Sequence, residues 1–192
     1  MNTEGLFNAL SAIHSLSRGF KKSLEKALIP LTLPKNHLLL EAPKIAEHAY
    51  FLNKGFAMAY TFVDGKRNTE AFWKAGQIMM SSNSFFEQVP SMEYIQLMQK
   101  SDVLCISYAS VQNLFNNFPE ANYIYQIIMN RHYENSRNRI HDMQRLDALQ
   151  RFKKLLRIFP DIEQIVPQDC IASYLGITPQ SLSRLKRQKG NS

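Results

Sequence analysis

Gln180 and Arg184 stand four residues apart near the end of a 192-residue chain, a spacing that places a carboxamide and a guanidinium on one side of a helix. A guanidinium presents a planar fork of donors, which matches the paired acceptors on a guanine edge in the DNA major groove. Thr178, Pro179 and Ser181 fall at the start of the same helix, the end from which side chains approach base edges most closely. Ser183, Lys186 and Arg187 add a hydroxyl and two cations suited to phosphate oxygens.

Side chains can do this only if a rigid pair of helices presents them. Residues 168–188 supply the pattern. If Gln168–Leu175 is one helix and Pro179–Gln188 another, Ile171, Leu175, Ile177, Leu182 and Leu185 converge on one inner seam. Ala172, four before Gly176, keeps the helices close. Gly176 sits where the first helix must stop, in a left-handed cap that glycine enters without a Cβ penalty. Thr178 is placed to cap the second helix, and Pro179 fits its first turn. This is the helix-turn-helix pattern. An ordinary helical hairpin closing a C-terminal core would show the same amphipathicity, but not the agreement of small residue, cap and basic outer face. Charge is divided in the same sense. Residues 121–192 hold twelve Lys or Arg against six Asp or Glu, whereas residues 1–120 hold eleven against ten, so the excess of +7 lies almost wholly in the C-terminal part. Concentrated there, it has the character of a phosphate-contacting surface.

Upstream, the period changes twice. Leu6, Leu10, Ile13, Leu16, Phe20, Leu24 and Leu28 give helical spacing over 5–29, ended by Pro30 and Pro34. From His37 to Tyr108 the apolar runs are short and rich in aromatic or branched residues, with Asn53-Lys54-Gly55, Asp64-Gly65, Ala75-Gly76 and Lys100-Ser101-Asp102 between them. That alternation predicts an antiparallel β-roll, with a hairpin at Asp64-Gly65. Residues 110–117 are helical in pattern. The stretch 120–147 contains no Pro or Gly and predicts the longest helix, with Ile124, Ile127 and Ile128 as its dimer face around a two-fold axis. The same stripe could instead pack onto the chain's own β-roll. A further helix over Ala148–Phe159 is stopped by Pro160.

The fold class expected is therefore α+β, an antiparallel, jelly-roll-like β-roll, a long dimerisation helix and a C-terminal helix-turn-helix. The expected domains are 1–118, 119–147 and 148–192. Hydrophobic residues at 45% and charged residues at 20% are those of a globular protein. No apolar run is long enough to cross a bilayer, and the N-terminus has no signal-like segment, so a cytoplasmic location without membrane contact is expected. Cys105 and Cys170 make no disulfide framework and too few ligands for an iron–sulfur cluster.

Together these features resemble the CRP/FNR family of bacterial transcription regulators over roughly residues 30–188. The most specific part is Ile171-Ala172-Ser173-Tyr174-Leu175-Gly176-Ile177-Thr178-Pro179 with Leu182-Ser183-Arg184. Tyr50-Phe51-Leu52-Asn53-Lys54-Gly55, Asp64-Gly65-Lys66 and Lys74-Ala75-Gly76-Gln77 are similar to that family's cyclic-nucleotide-binding β-roll. The resemblance implies a homodimeric, sequence-specific regulator that binds double-stranded DNA, with Gln180 and Arg184 reading bases and RNA polymerase as a further partner. It also implies an effector pocket around Gly76, Met80, Ser81, Pro90, Ser91 and Met92.

That pocket departs from the family pattern. Family members place a Gly-Glu pair where Met80 and Ser81 fall, the glutamate binding a ribose hydroxyl. They place an Arg-Ser pair where this chain reads Pro90-Ser91-Met92. Without the arginine, a buried cyclic phosphate would be unpaired, so cyclic-nucleotide binding in the usual mode is not expected. Met79, Met80 and Phe85 are expected to fill the space as core, unless an unknown small molecule does. Only Lys189-Gly190-Asn191-Ser192 follow the second helix, so no β-wing is expected after it. The five histidines, at 14, 37, 48, 132 and 141, show no metal-ligand spacing, and no nucleophile elbow or phosphate-cradling loop occurs. Neither catalysis, cofactor nor metal is expected. Two alternatives remain: a ligand- or protein-binding β-roll sensor without productive DNA binding, and a β-roll metal enzyme.

Overall fold

The computed structural model describes residues 2–190 and divides into two compact units: Met1–Met58 with Phe72–His132, and Ala59–Ala71 with Tyr133–Ser192. The division therefore falls within the longest helix and across one β-hairpin.

In the first unit, the helical spacing read over 5–29 resolves into two helices, α1 (Glu4–Ser11) and α2 (Arg18–Ala27). The break comes where Ser17 turns extended and accepts the Phe20 N–H at 3.1 Å, capping α2. Strand β1 (Ile29–Leu33) follows at once and was not anticipated, because Pro30 and Pro34 read as terminators. Pro30 is tolerated because β1 is an edge strand, in register with β8 (Ser101–Ser107). The remaining strands are β2 (Leu38–Leu40), β3 (His48–Lys54), β4 (Phe56–Val63), β5 (Lys66–Lys74), β6 (Ile78–Met79) and β7 (Tyr94–Leu97). They form two four-stranded sheets, ordered β1-β8-β3-β6 and β2-β7-β4-β5, the jelly-roll-like β-roll expected. Asp64 and Gly65 join β4 to β5 with φ of 50° and 71°, the pair of positive values a two-residue hairpin turn requires.

Strand β3 alternates its burial, so Phe51 and, on β8, Leu104 face a layer of helices. Leu6, Leu10, Phe20 and Leu24 cover them from the N-terminal side. Leu114 of α4 (Tyr108–Asn117) and Ala121 and Ile124 of α5 (Pro119–Arg145) close the layer from the other. A short helix, α3 (Ser82–Glu87), buries Phe85 completely.

The second unit contains the hairpin tip of β4 and β5, the later part of α5, and α6 (Ala148–Ile158), α7 (Ile162–Ile165), α8 (Gln168–Tyr174) and α9 (Pro179–Gly190). Asp147 and Gln150 start α6 with a reciprocal capping box, at 2.8 and 3.0 Å. Phe152, Ile162, Ile171, Leu175 and Leu182 are fully buried and form its core. Among the described residues, no helix is long and apolar enough to cross a membrane.

Candidate nucleic-acid interface

The turn between α8 and α9 is built as its residue types dictate. Gly176 has φ of +67°. Its N–H donates to the Ser173 carbonyl and the Ile177 N–H to the Ala172 carbonyl, both at 3.0 Å. This crossed pair is a Schellman stop, which satisfies carbonyls that the end of α8 would otherwise leave open. Ala172 is fully buried. Thr178 then caps α9, its Oγ1 accepting the Ser181 N–H at 3.2 Å and lying 3.0 Å from the Ser181 hydroxyl. Ile171, Leu175 and Leu182 are buried, while Ile177 and Leu185 are half-buried at the seam's margin.

The inner anchor at Leu182 fixes what points outward. At 100° per residue, Gln180, Ser183, Arg184 and Arg187 share one face of α9, and all four are exposed. Thr178 and Pro179 are also exposed, at the start of the helix, and Ser181 is half-buried against the cap. Lys186 lies off that face. Its Nζ is 2.6 Å from a Glu163 carboxylate oxygen, with both side chains about 30% exposed. Asn191 and Ser192, and with them the expectation about a wing, lie outside the described residues.

Three other cations in this unit are engaged internally. Arg151 donates from Nε to the Leu175 carbonyl at 3.0 Å and from Nη1 to the Leu146 carbonyl at 2.6 Å. Lys154 Nζ meets both Asp142 oxygens, at 2.8 and 2.6 Å. Arg139 donates to the carbonyls of Glu70, Thr69 and Tyr174 at 2.8, 3.0 and 3.4 Å, and its guanidinium lies over the Tyr174 ring. The Thr69 N–H in turn donates to Ser173 Oγ at 3.0 Å. Lys153, Arg157, Arg184 and Arg187 remain exposed.

The six effector-pocket candidates do not form one cavity. A cavity of about 200 Å³ lies in the β-roll, lined by residues of β2, of the 41–47 loop, by Tyr50 and Ile95, and by Ser81 alone of the six. Met80 is buried beside the fully buried Met79 and Phe85, and it lines a second, apolar pocket instead. Ser91 is buried too, 3.4 Å from the Ser81 hydroxyl, but its own hydroxyl accepts the Glu93 N–H at 2.9 Å. Gly76 occupies an open turn at φ of +89°. Pro90 bridges to Ile45, and Met92, two residues on, is 80% exposed. No arginine among the described residues lines the cavity beside Ser81; the cation near this stretch is Lys44, whose carbonyl accepts the Ser91 N–H at 3.1 Å and which lines the same cavity. On the floor of the roll, burial pushes the Cys105 thiol up to about 11 and the Tyr50 phenol, hydrogen-bonded to it, above its ordinary range. Among the described residues, no group of His, Cys, Asp or Glu is arranged to hold a metal.

The dimer-face candidates also divide. Ile124 is 4% exposed inside its own unit's core, and Ile128 is partly buried against the same cluster. Ile124 is thus turned away from solvent, and the intrachain packing that the sequence left open is the one found for it. Ile127 is half-buried. Tyr133 and Ile140, seven residues apart and so on one side of α5, are 63% and 59% exposed, while Tyr123, 47% exposed, lies against the His14 ring.

A jelly-roll-like β-roll, a long helix and a C-terminal helix-turn-helix constitute the fold of the CRP/FNR transcription regulators. A CRP/FNR-family transcriptional regulator from Eubacterium rectale superposes with a TM-score of 0.73 at 15% identity, over 90% of this chain and 83% of that one. The c-di-GMP-responsive global regulator CLP of Xanthomonas campestris gives 0.69 at 13% identity, over 91% and 93%. A CooA variant from Carboxydothermus hydrogenoformans gives 0.66 at 19% identity, over 100% and 85%. No protein-family model matches the sequence, and no curated protein matches it.

Proposed function

We propose that the protein is a homodimeric, sequence-specific DNA-binding transcription regulator. One observation carries this reading: Gln180, Ser183, Arg184 and Arg187 share the exposed face of a capped helix whose opposite side is locked by Leu182. In a helix-turn-helix, that face enters the major groove, the early residues touching base edges and the later cations phosphates. Gln180 and Arg184 read bases, Ser183 and Arg187 contact the backbone, and Lys153 and Arg157 add positive potential nearby. Two copies associate through the exposed side of α5 that carries Tyr133 and Ile140. The β-roll does not take a cyclic nucleotide in the usual way: Met80 is buried away from the Ser81 cavity, and no arginine lines that cavity.

Selection of bound sequences from a random duplex pool tests the reading. A palindrome is expected, with half-sites one helical turn apart, about 34–36 Å. Recovery of no sequence preference, with binding that ignores salt, would leave the second reading, a sensor β-roll without productive DNA contact. That alternative is favoured by the internal engagement of Lys186, Arg151 and Lys154.

A further inference from the structure

Between the helices and the β1-β8-β3-β6 sheet, inside the first unit, the packing is incomplete. A pocket of about 130 Å³, partly open to solvent, remains there, bounded by residues of α1, α2, β3, α3, β8, α4 and α5. The surface it presents is almost wholly carbon. Interiors normally pack to the density of organic crystals, and voids much larger than a water molecule are few. Water does not fill this one well, because a water needs two to four polar partners and the walls supply almost none. A dry cavity of roughly 150 Å³ lined by aliphatic and aromatic residues binds benzene.

Aromatic side chains define one side. Phe86 and Tyr125 lie with ring centroids 4.7 Å apart, Phe115 and Tyr125 5.3 Å apart, and Phe86 and Phe115 are stacked at 6.5 Å. Leu10, Leu114 and Ala121 supply aliphatic walls. We infer that this cavity is a binding site for a small apolar molecule, a single aromatic ring or an aliphatic chain of about four to six carbons. Its volume is well below the ~300–1,000 Å³ of sites for larger organic ligands, which sets the upper size. It meets the Ser81 cavity at Tyr50, takes in Met80 on its own side, and shares none of the residues expected to read DNA. It does not depend on the regulator assignment, and binding is measured on the protein alone. Ala121 and Ile124 belong to α5, so an occupant touches the helix on which dimerisation is proposed.

Benzene is the probe. The full-length protein is melted in sealed cells over a benzene series, with Ala121→Leu and Val111→Phe as variants that fill the space from different walls. The wild-type melting temperature is expected to rise by several degrees, increasing with benzene concentration. Each folded filling variant is expected to lose most of that rise. No rise in the wild type, or an equal rise in a folded filling variant, overturns the site. Should neither variant fold, crystals of the wild type under xenon pressure decide: xenon beside Leu114 and Phe115 supports the site, and xenon elsewhere or nowhere overturns it.

Discussion

A lysine on the second helix of a helix-turn-helix is not thereby free to meet a phosphate, and the neighbouring carboxylate decides. Lys186 sits 2.6 Å from Glu163, so its charge is already offset and its head is held off the outer face. Arg187 is exposed on that face. In salt titrations of duplex binding, Arg187→Gln should reduce the logarithmic slope by about 1, whereas Lys186→Gln should leave it almost unchanged. Equal changes would show that the ion pair opens on binding. Arg184→Ala should cost about 1–3 kcal/mol and relax selection at one base pair, read from competition between the selected duplex and single-base mismatches. A uniform loss across all sequences would move Arg184 to the phosphate class. The residue types and spacing of α9 were legible in the sequence, because Leu182, Thr178 and Gly176 each leave a local signature. Which cations point outward was not. Arg151, Lys154 and Lys186 find partners 5–24 residues away or on another helix, and no local pattern encodes such pairings. The same reason hid the place of Pro90, whose bridge to Ile45 spans 45 residues of sequence.

Elements are tied by features that the chain order only half reveals. The helix-turn-helix stop depends on Gly176, where an added Cβ would lie 3.2 Å from Met143 Sδ in a backbone at φ of +67°. Gly176→Ala should therefore lower stability by about 1–2 kcal/mol in urea unfolding, since L side chains resist that conformation. Arg139 joins three elements of the second unit, α5, the hairpin tip and α8, through three carbonyls. Its replacement removes the donors that link those three carbonyls. Arg139→Gln should cost on the order of 1.5–3 kcal/mol, and Arg139→Lys should recover little, because an ammonium lacks the planar fork. Substantial recovery by lysine would reduce the contact to simple charge. On α5, burial pushes the His132 imidazole below its ordinary 6.5. The folded chain holds it neutral while the unfolded chain takes up a proton. Its contribution is thus fully present above 6.5 and declines as pH falls below that value. Melting temperature should drop across that window, and His132→Gln should flatten the drop. The strands were readable from aromatic runs between turns. Strand β1, the two-residue β6 and the short helices α3 and α7 were not, because elements of two to six residues carry too little periodicity, and proline masked the first.

At the scale of the molecule, the proposed dimer predicts that Tyr133→Asp with Ile140→Asp yields a monomer in sedimentation, with duplex binding weakened because two half-sites are no longer engaged together. A dimer of unchanged stability would place the contact elsewhere. The edge strand β1 has a separate consequence. Ile29 and Leu31 are exposed on it, flanking Pro30. An apolar outer strand invites strand-by-strand accretion of other chains, and a proline removes one of the donors that such growth requires. Pro30→Val should leave the monomeric fold intact and increase thioflavin-positive fibrils on prolonged incubation. By this reasoning, the residue that breaks the expected strand pattern also guards the protein against amyloid.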